Sequence, residues 1–379
     1  MTSIFSNNML EIKHKRTIYK IPEHLFLKID SDNKNTISNE YKGSFGLYTA
    51  NVKTILDGAY SIVVRYEDKA SQDKTKSRIA LKVSSNTKTN VYKIKQELDI
   101  YNILRNIPDY SKYICSCYGI ETLKNGRKIY NYLTMEYLTC DLFDFIFKHK
   151  RPYSDKNAYS ILLQVSKCLN FLHENNIIYN DLKMENIMIS KLRCNTENGE
   201  NIIEIKLIDF NCCTLMNNQQ NNQQNNQQNN QQNNQQNNQQ NNKQNNSFNN
   251  IGGGTLEYMS PELQTCVTRR SFKTLTPKSD TWSFGLLACM LYLHYQPYEN
   301  KNGREIIKNI QNNKYNDISE CIKYIQYLKE DLSIPPFIRT SKNNENFIIL
   351  IMDLCLKTNI KERATMYEIM NILDNSYNR

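Results

Sequence analysis

The segment Ile177-Ile-Tyr-Asn-Asp-Leu-Lys-Met-Glu-Asn-Ile187 constrains this chain more than any other stretch of it. It sets an acid, a lysine and a carboxamide (Asp181, Lys183, Asn186) close together, between an amphipathic helical pattern and a short apolar strand. Further on, Leu207-Ile-Asp-Phe-Asn211 supplies a second acid, Asp209, at the end of another apolar strand. Asn198-Gly199 between them is a strong turn signal, so the two strands are expected to fold back as a hairpin. That hairpin would bring Asp209 beside Asn186. A carboxylate to take a hydroxyl's proton, a cation near a moving phosphate and oxygen ligands for magnesium are the set that phosphoryl transfer needs.

With 379 residues the chain can bury a large core and hold two lobes. Its net charge of +10 comes from scattered Lys and Arg. Clusters such as Lys13 to Arg16 and Lys148 to Arg151 read as solvated faces, so no nucleic-acid partner is expected. The eleven cysteines follow a polar N-terminus with no secretory signal, which points to reduced thiols and an intracellular, cytoplasmic or nuclear setting. Neither Cys115 with Cys117 nor Cys212 with Cys213 has partners at zinc spacing. The apolar run Phe347 to Leu356 is too short to span a membrane and contains Asp353, so no membrane partner is expected either.

Residues 1–33 are polar and mixed, and read as a loosely ordered leader. From about Ile37 to Tyr137, β-like runs such as Ser61 to Tyr66 and Arg78 to Val83 are interrupted by a helical run, Val91 to Leu104. Val91, Ile94, Leu98 and Tyr101 share a face of that helix. Beyond Asp141 the chain turns helical. Ala158, Ile161, Leu162, Val165, Leu169 and Leu172 mark an amphipathic helix, and Trp282 to Leu293 is apolar all round, as suits a buried helix. Thr365 with Glu368 forms a capping box opening a last helix through Leu373. Residues 217 to 242 repeat Asn-Asn-Gln-Gln without an apolar side chain, so nothing offsets the entropy of ordering them.

Glu97 lies on the same side of its helix as Ile94, Leu98 and Tyr101, where burial disfavours an unpaired charge. An ion pair with Lys82, at the end of Ile79-Ala-Leu-Lys82, resolves the conflict; the alternative is a Glu97 that reaches solvent.

Several motifs now stand in one order: Glu40-Tyr-Lys-Gly-Ser-Phe-Gly46, Ile79-Ala-Leu-Lys82, Leu133-Thr-Met-Glu-Tyr137, Tyr179-Asn180-Asp181, Asp209-Phe-Asn211, Gly254-Thr-Leu-Glu-Tyr-Met-Ser-Pro-Glu262 and Asp280-Thr-Trp-Ser-Phe-Gly285. In that order they resemble the eukaryotic protein kinase superfamily, serine/threonine type. The resemblance implies an α+β, bilobal protein-kinase-like fold with a small β-rich N-lobe and a larger helical C-lobe. The domain would cover 34–377, with an N-lobe of about 34–136, a hinge at 136–141 and a C-lobe of 142–377. The disordered Asn/Gln-rich insert, 217–250, then falls within the activation segment.

The resemblance also assigns roles. ATP would be held by the glycine-rich loop (Gly43, Ser44, Phe45, Gly46), Tyr48 over the adenine, Ala80, and Lys82 paired with Glu97. Met135 is the gatekeeper, Glu136 to Leu138 present backbone groups to adenine, Asp141 reaches the ribose, and Met188 packs beneath the base. Asp181 acts as catalytic base with Lys183 beside the phosphate, and Asn186 and Asp209 hold Mg2+. The acceptor is a Ser/Thr hydroxyl of a protein; Thr255 belongs to its platform. Asp280 should brace the catalytic loop, and Arg363 should pair with Glu262. The chain departs from the family pattern at Tyr41, Tyr48, Asn180 and Asn211. Asn180 replaces an arginine that pairs with an activation-segment phosphate, and Asn211 replaces a hinge glycine. These departures support a second reading, a pseudokinase scaffold that binds nucleotide or partners and transfers little phosphate.

Overall fold

The computed structural model describes residues 9–14, 17–22, 40–43, 46–57, 61–67, 78–84, 88–125, 128–148, 154–194, 201–216, 254–269, 275–293 and 350–377. The chain divides into two compact units, Met1–Thr139 and Cys140–Arg379.

The first unit is built from β1 (Met9–His14), β2 (Thr17–Pro22), β3 (Glu40–Gly43), β4 (Gly46–Asp57), β5 (Ser61–Glu67), β6 (Arg78–Ser84), helix α1 (Lys88–Leu104), β7 (Cys117–Asn125) and β8 (Lys128–Glu136). Six strands form an antiparallel sheet in the order β3-β4-β5-β6-β8-β7. Strand β6 sits between β5 and β8, and its Ile79, Ala80, Leu81 and Lys82 are all buried. A strand covered on both faces reads as a continuous apolar run, and Ile-Ala-Leu is one. On α1 the buried residues include Leu98 and Tyr101. The side chains of Val91 and Ile94 lie outside the described residues. Within the stretch that reads as a polar leader, β1 and β2 pair antiparallel, with Leu10 opposite Ile21 and Ile12 opposite Tyr19. The alternation of Leu10 with Ile12 is the short period-two signal behind that hairpin.

The second unit contains β9 (Cys140–Asp141), α2 (Asp155–Glu174), β10 (Ile177–Ile178), β11 (Ile187–Cys194), β12 (Asn201–Leu207), β13 (Thr214–Leu215), α3 (Pro261–Arg269), α4 (Lys278–Leu293) and α5 (Met366–Tyr377). All six apolar positions of the α2 stripe are buried, Ala158 through Leu172. Ser154 caps α2 reciprocally with Asn157 at 3.2 Å in each direction. Helix α4 is buried all round: Trp282, Phe284, Leu287, Ala288, Met290 and Leu291 are all in the core. Gly285 lets the segment at Cys355 close in, since a Cβ there would stand 2.7 Å from the Cys355 Cβ. Among the described residues no helix is long and apolar enough to cross a membrane.

Arg363 is fully buried near the start of α5. Its guanidinium donates to both carboxylate oxygens of Glu262 and to the carbonyls of Lys357 and Lys278. It also lies over the Trp282 ring, 5.2 Å from the centroid. The expected Glu262–Arg363 pair therefore ties α3 to the segment that opens α5.

Candidate active site

In the first unit, Lys82 Nζ stands 2.6 Å from Glu97 Oε2, joining β6 to α1 with both side chains buried. Register places Ala80 opposite Met135 and Lys82 opposite Leu133. Gly43 pairs with Gly46, and Tyr41 with Tyr48. Ser44 and Phe45 lie outside the described residues, as do the side chains of Gly43 to Tyr48. Glu136 donates its backbone N–H to the Ser116 carbonyl at 2.9 Å and accepts from the Ser116 N–H through Oε2 at 3.2 Å. Its N–H is thus committed to Ser116, and its carbonyl receives the Cys115 thiol at 3.5 Å. The Leu138 side chain is buried.

In the second unit, β11 and β12 pair antiparallel from Cys194 opposite Asn201 to Ile187 opposite Leu207. The Asn198-Gly199 turn lies outside the described residues. Just past the paired strands, the Ile208 N–H donates to the Asn186 carbonyl at 3.1 Å, which sets Asp209 beside Asn186. Asp209 adopts a left-handed backbone, φ 61°, which aspartate tolerates better than most residues. Asn211, at the missing hinge glycine, does not adopt positive φ. Strand β9 pairs with β11 so that Asp141 faces Met188 across the ladder. Asp141 Oδ1 accepts the Asp144 N–H at 2.7 Å, and burial pushes its carboxyl above the ordinary range.

Asp280, at the start of α4, orders the catalytic loop. Its carboxylate accepts the N–H groups of Tyr179 (2.8 Å) and Asn180 (2.7 Å) and meets His173 Nε2 at 2.8 Å. Charge-assisted bonds of this kind are about twice as strong as neutral ones. Tyr179 is buried, donates its hydroxyl to the Ile208 carbonyl, and meets Phe210 edge-on at 5.5 Å between ring centroids.

Asp181 is 5% exposed and sits in a dense polar cluster. Its Oδ1 accepts the Thr255 N–H at 2.7 Å and the Thr255 hydroxyl at 2.8 Å. Its Oδ2 accepts the Asn186 amide at 3.0 Å and lies 3.6 Å from Lys183 Nζ. Lys183 in turn donates to the Thr255 hydroxyl at 2.8 Å. Burial raises the Asp181 pKa, the Lys183 charge opposes the rise, and the Asp209 charge adds to it. The Asn186 amide nitrogen is used twice on Asp181, so its Oδ1 is the atom left to serve as a ligand. That oxygen and the Asp209 carboxylate are hard donors, a set that fits a small divalent cation.

On the sequence Thr255 belongs to the substrate platform; its two bonds to Asp181 are visible only in the fold. Asn180, on the sequence a lost arginine, donates in the fold to the Cys212 carbonyl and the Thr214 hydroxyl. The Gly254-Thr255 pair ahead of an apolar stretch is the one available signal for the Thr255 bonds.

Residues 50–373 match the family model described as the protein kinase domain. The chain belongs to this family. It is 25% identical over 352 residues to calcium-dependent protein kinase 4 of Plasmodium berghei (strain Anka), a match covering 87% of this chain and 56% of that protein. It is 27% identical over 213 residues to serine/threonine-protein kinase 1 of Heliothis zea nuclear polyhedrosis virus, covering 56% of this chain and 61% of the relative. The matches thus span 56% and 61% of the lengths of these relatives. A protein kinase domain implies a bilobal fold and, in general, the use of ATP and a divalent metal.

Proposed function

We propose that this chain transfers the γ-phosphate of ATP to serine or threonine hydroxyls of protein substrates. The observation that carries this reading is the Lys183–Thr255–Asp181 triangle. There a hydroxyl already donates to a carboxylate and accepts from an ammonium, each at 2.8 Å. A substrate hydroxyl presented to the same pair would meet a proton acceptor and a cation in the arrangement that in-line transfer needs. Its oxygen attacks the γ-phosphorus as the bond to the β–γ bridging oxygen breaks; ADP leaves and Asp181 takes the proton. Lys183 stabilises the transferring group. In the first unit, Lys82, oriented by Glu97, is the group for the α- and β-phosphates, with Met135, Glu136 and Leu138 for the adenine; in the second unit, the family resemblance assigns Met188 to the adenine. Asn186 and Asp209 would hold magnesium, which would supply charge neutralisation on the phosphates. We take 34–377 as the catalytic domain and an intracellular setting as its place of work. The relatives named as serine/threonine- and calcium-dependent protein kinases support the substrate class.

The pseudokinase reading draws on Tyr41, Tyr48, Asn180 and Asn211. Against it, the described fold gives Asn180 two donor bonds and does not use positive φ at Asn211. Incorporation of γ-labelled phosphate into a generic basic protein, with and without magnesium, separates the two. Magnesium-dependent label on serine and threonine is expected; label on tyrosine, or none at all, contradicts the proposal.

A further inference from the structure

Asn180 is buried, 3% exposed, yet its amide nitrogen reaches far along the chain. It donates to the Cys212 carbonyl at 2.9 Å and to the Thr214 hydroxyl at 2.8 Å. Both acceptors belong to the segment that follows Asp209. That segment is held on the catalytic-loop side by β13 as well, since Thr214 pairs with Ile178 and the Met216 N–H donates to the Asn176 carbonyl at 2.9 Å. The amide has one sensible orientation: exchanging its nitrogen and oxygen would set two acceptors, its own oxygen and the Cys212 carbonyl, against each other.

The backbone of the same residue meets the other end of that segment. A Cβ on Gly254 would stand 2.2 Å from the Asn180 carbonyl oxygen, so the two backbones approach as closely as only glycine permits. Directly beyond, Thr255 donates to Asp181 Oδ1. Asn180 itself has φ 67°, and its N–H is held by Asp280. One residue therefore touches α4, the stretch at 212–214 and Gly254, and it immediately precedes the carboxylate to which Thr255 donates.

We propose that Asn180 is a positioning residue that fastens the start of the activation segment, at 212–214, to the catalytic loop through two neutral hydrogen bonds of its side chain while its backbone carbonyl packs against Gly254, and so sets the orientation of Asp181 without a phosphate. This rests on Asp181 being the base. The side-chain clamp is uncharged: an amide, a carbonyl and a hydroxyl. A phosphate added to the segment has no part in it.

Asn180→Gly is the first variant, because glycine adopts φ near 67° freely and removes only the amide. Thr214→Val removes one acceptor, and Thr214→Ser keeps it. Hydrogen–deuterium exchange at 212–216 and 254–258 reads the clamp without reference to catalysis. Asn180→Gly is expected to speed exchange at 212–216 by about tenfold, the weight of a typical buried hydrogen bond, and to leave 254–258, which meets only the Asn180 backbone, less affected. Exchange unchanged at 212–216, or raised equally in both stretches, overturns the proposal. In phosphatase-treated enzyme, Thr214→Val should lower kcat by about tenfold with the KM for ATP unmoved, and Thr214→Ser should recover most of that loss. The double variant Asn180→Gly with Thr214→Val should be no worse than Asn180→Gly alone. Losses that multiply, or a wild type that needs phosphate on its activation segment to reach its full kcat, overturn the clamp. If Asn180→Gly does not fold, Thr214→Val and Thr214→Ser carry both measurements. A wild type that transfers no phosphate sinks the kinase reading instead, and the exchange data then decide the clamp by themselves.

Discussion

At the scale of single residues, two buried ion pairs set the terms. Lys82 and Glu97 meet at 2.6 Å with side chains 10% and 0% exposed. Glu97→Gln leaves the ammonium buried without its counter-charge and should cost about 3 kcal/mol of stability, read from the urea midpoint, with a raised KM for ATP. Arg363 is as deeply placed, and Glu262→Ala should likewise cost about 3 kcal/mol because the guanidinium stays behind. A midpoint unmoved by either change would contradict the account of that pair. The Lys82–Glu97 pair was legible in the sequence, since an apolar helix face leaves a glutamate no other comfortable partner. Thr255 with Asp181 and His173 with Asp280 were not. Those bonds join residues 74 and 107 positions apart, and no local period records a contact of that kind.

Elements were easier to read than contacts. The stripe from Ala158 to Leu172 and the all-apolar run at Trp282 describe α2 and α4 because burial follows helical period directly. The strand–turn–strand pattern around Asn198-Gly199 anticipated the β11–β12 pairing, and with it Asp209 beside Asn186. The cap of α2 escaped notice because Asn157, rather than Glu or Gln, completes it. The capping box of α5 did not: the Thr365 N–H donates to Glu368 at 2.8 Å, and the Glu368 N–H donates back to the Thr365 hydroxyl at 3.3 Å. The Thr365 N–H and the Thr365 hydroxyl, which donates to Glu368 Oε2 at 2.9 Å, hold the Glu368 pKa below its ordinary value of 4.5. A folded pKa below the unfolded one means stability that is present above 4.5 and fades as pH falls through the lower folded value. Thr365→Ala should therefore cost about 1 kcal/mol near neutral pH, and less in acid. Thermal melts at the two pH values check the sign; an equal cost at both would contradict it.

For the whole molecule, the conspicuous oddity is a repeat of Asn-Asn-Gln-Gln at 217–242, set between the two stretches that Asn180 touches. Its structure lies outside the described residues. Closing a long loop costs free energy only as the logarithm of its length, so deleting 217–242 should leave Tm within a few degrees and change kcat by about threefold or less. A collapse in Tm would show that the tract contributes to the fold. The central claim concerns Asp181, and single-turnover transfer of γ-phosphate by wild type and Asp181→Asn tests it most directly. The substitution keeps the size and the burial while removing the proton acceptor. The account predicts a rate lower by about a hundredfold or more, with nucleotide affinity within a few-fold of wild type. Equal rates in the two proteins would contradict it.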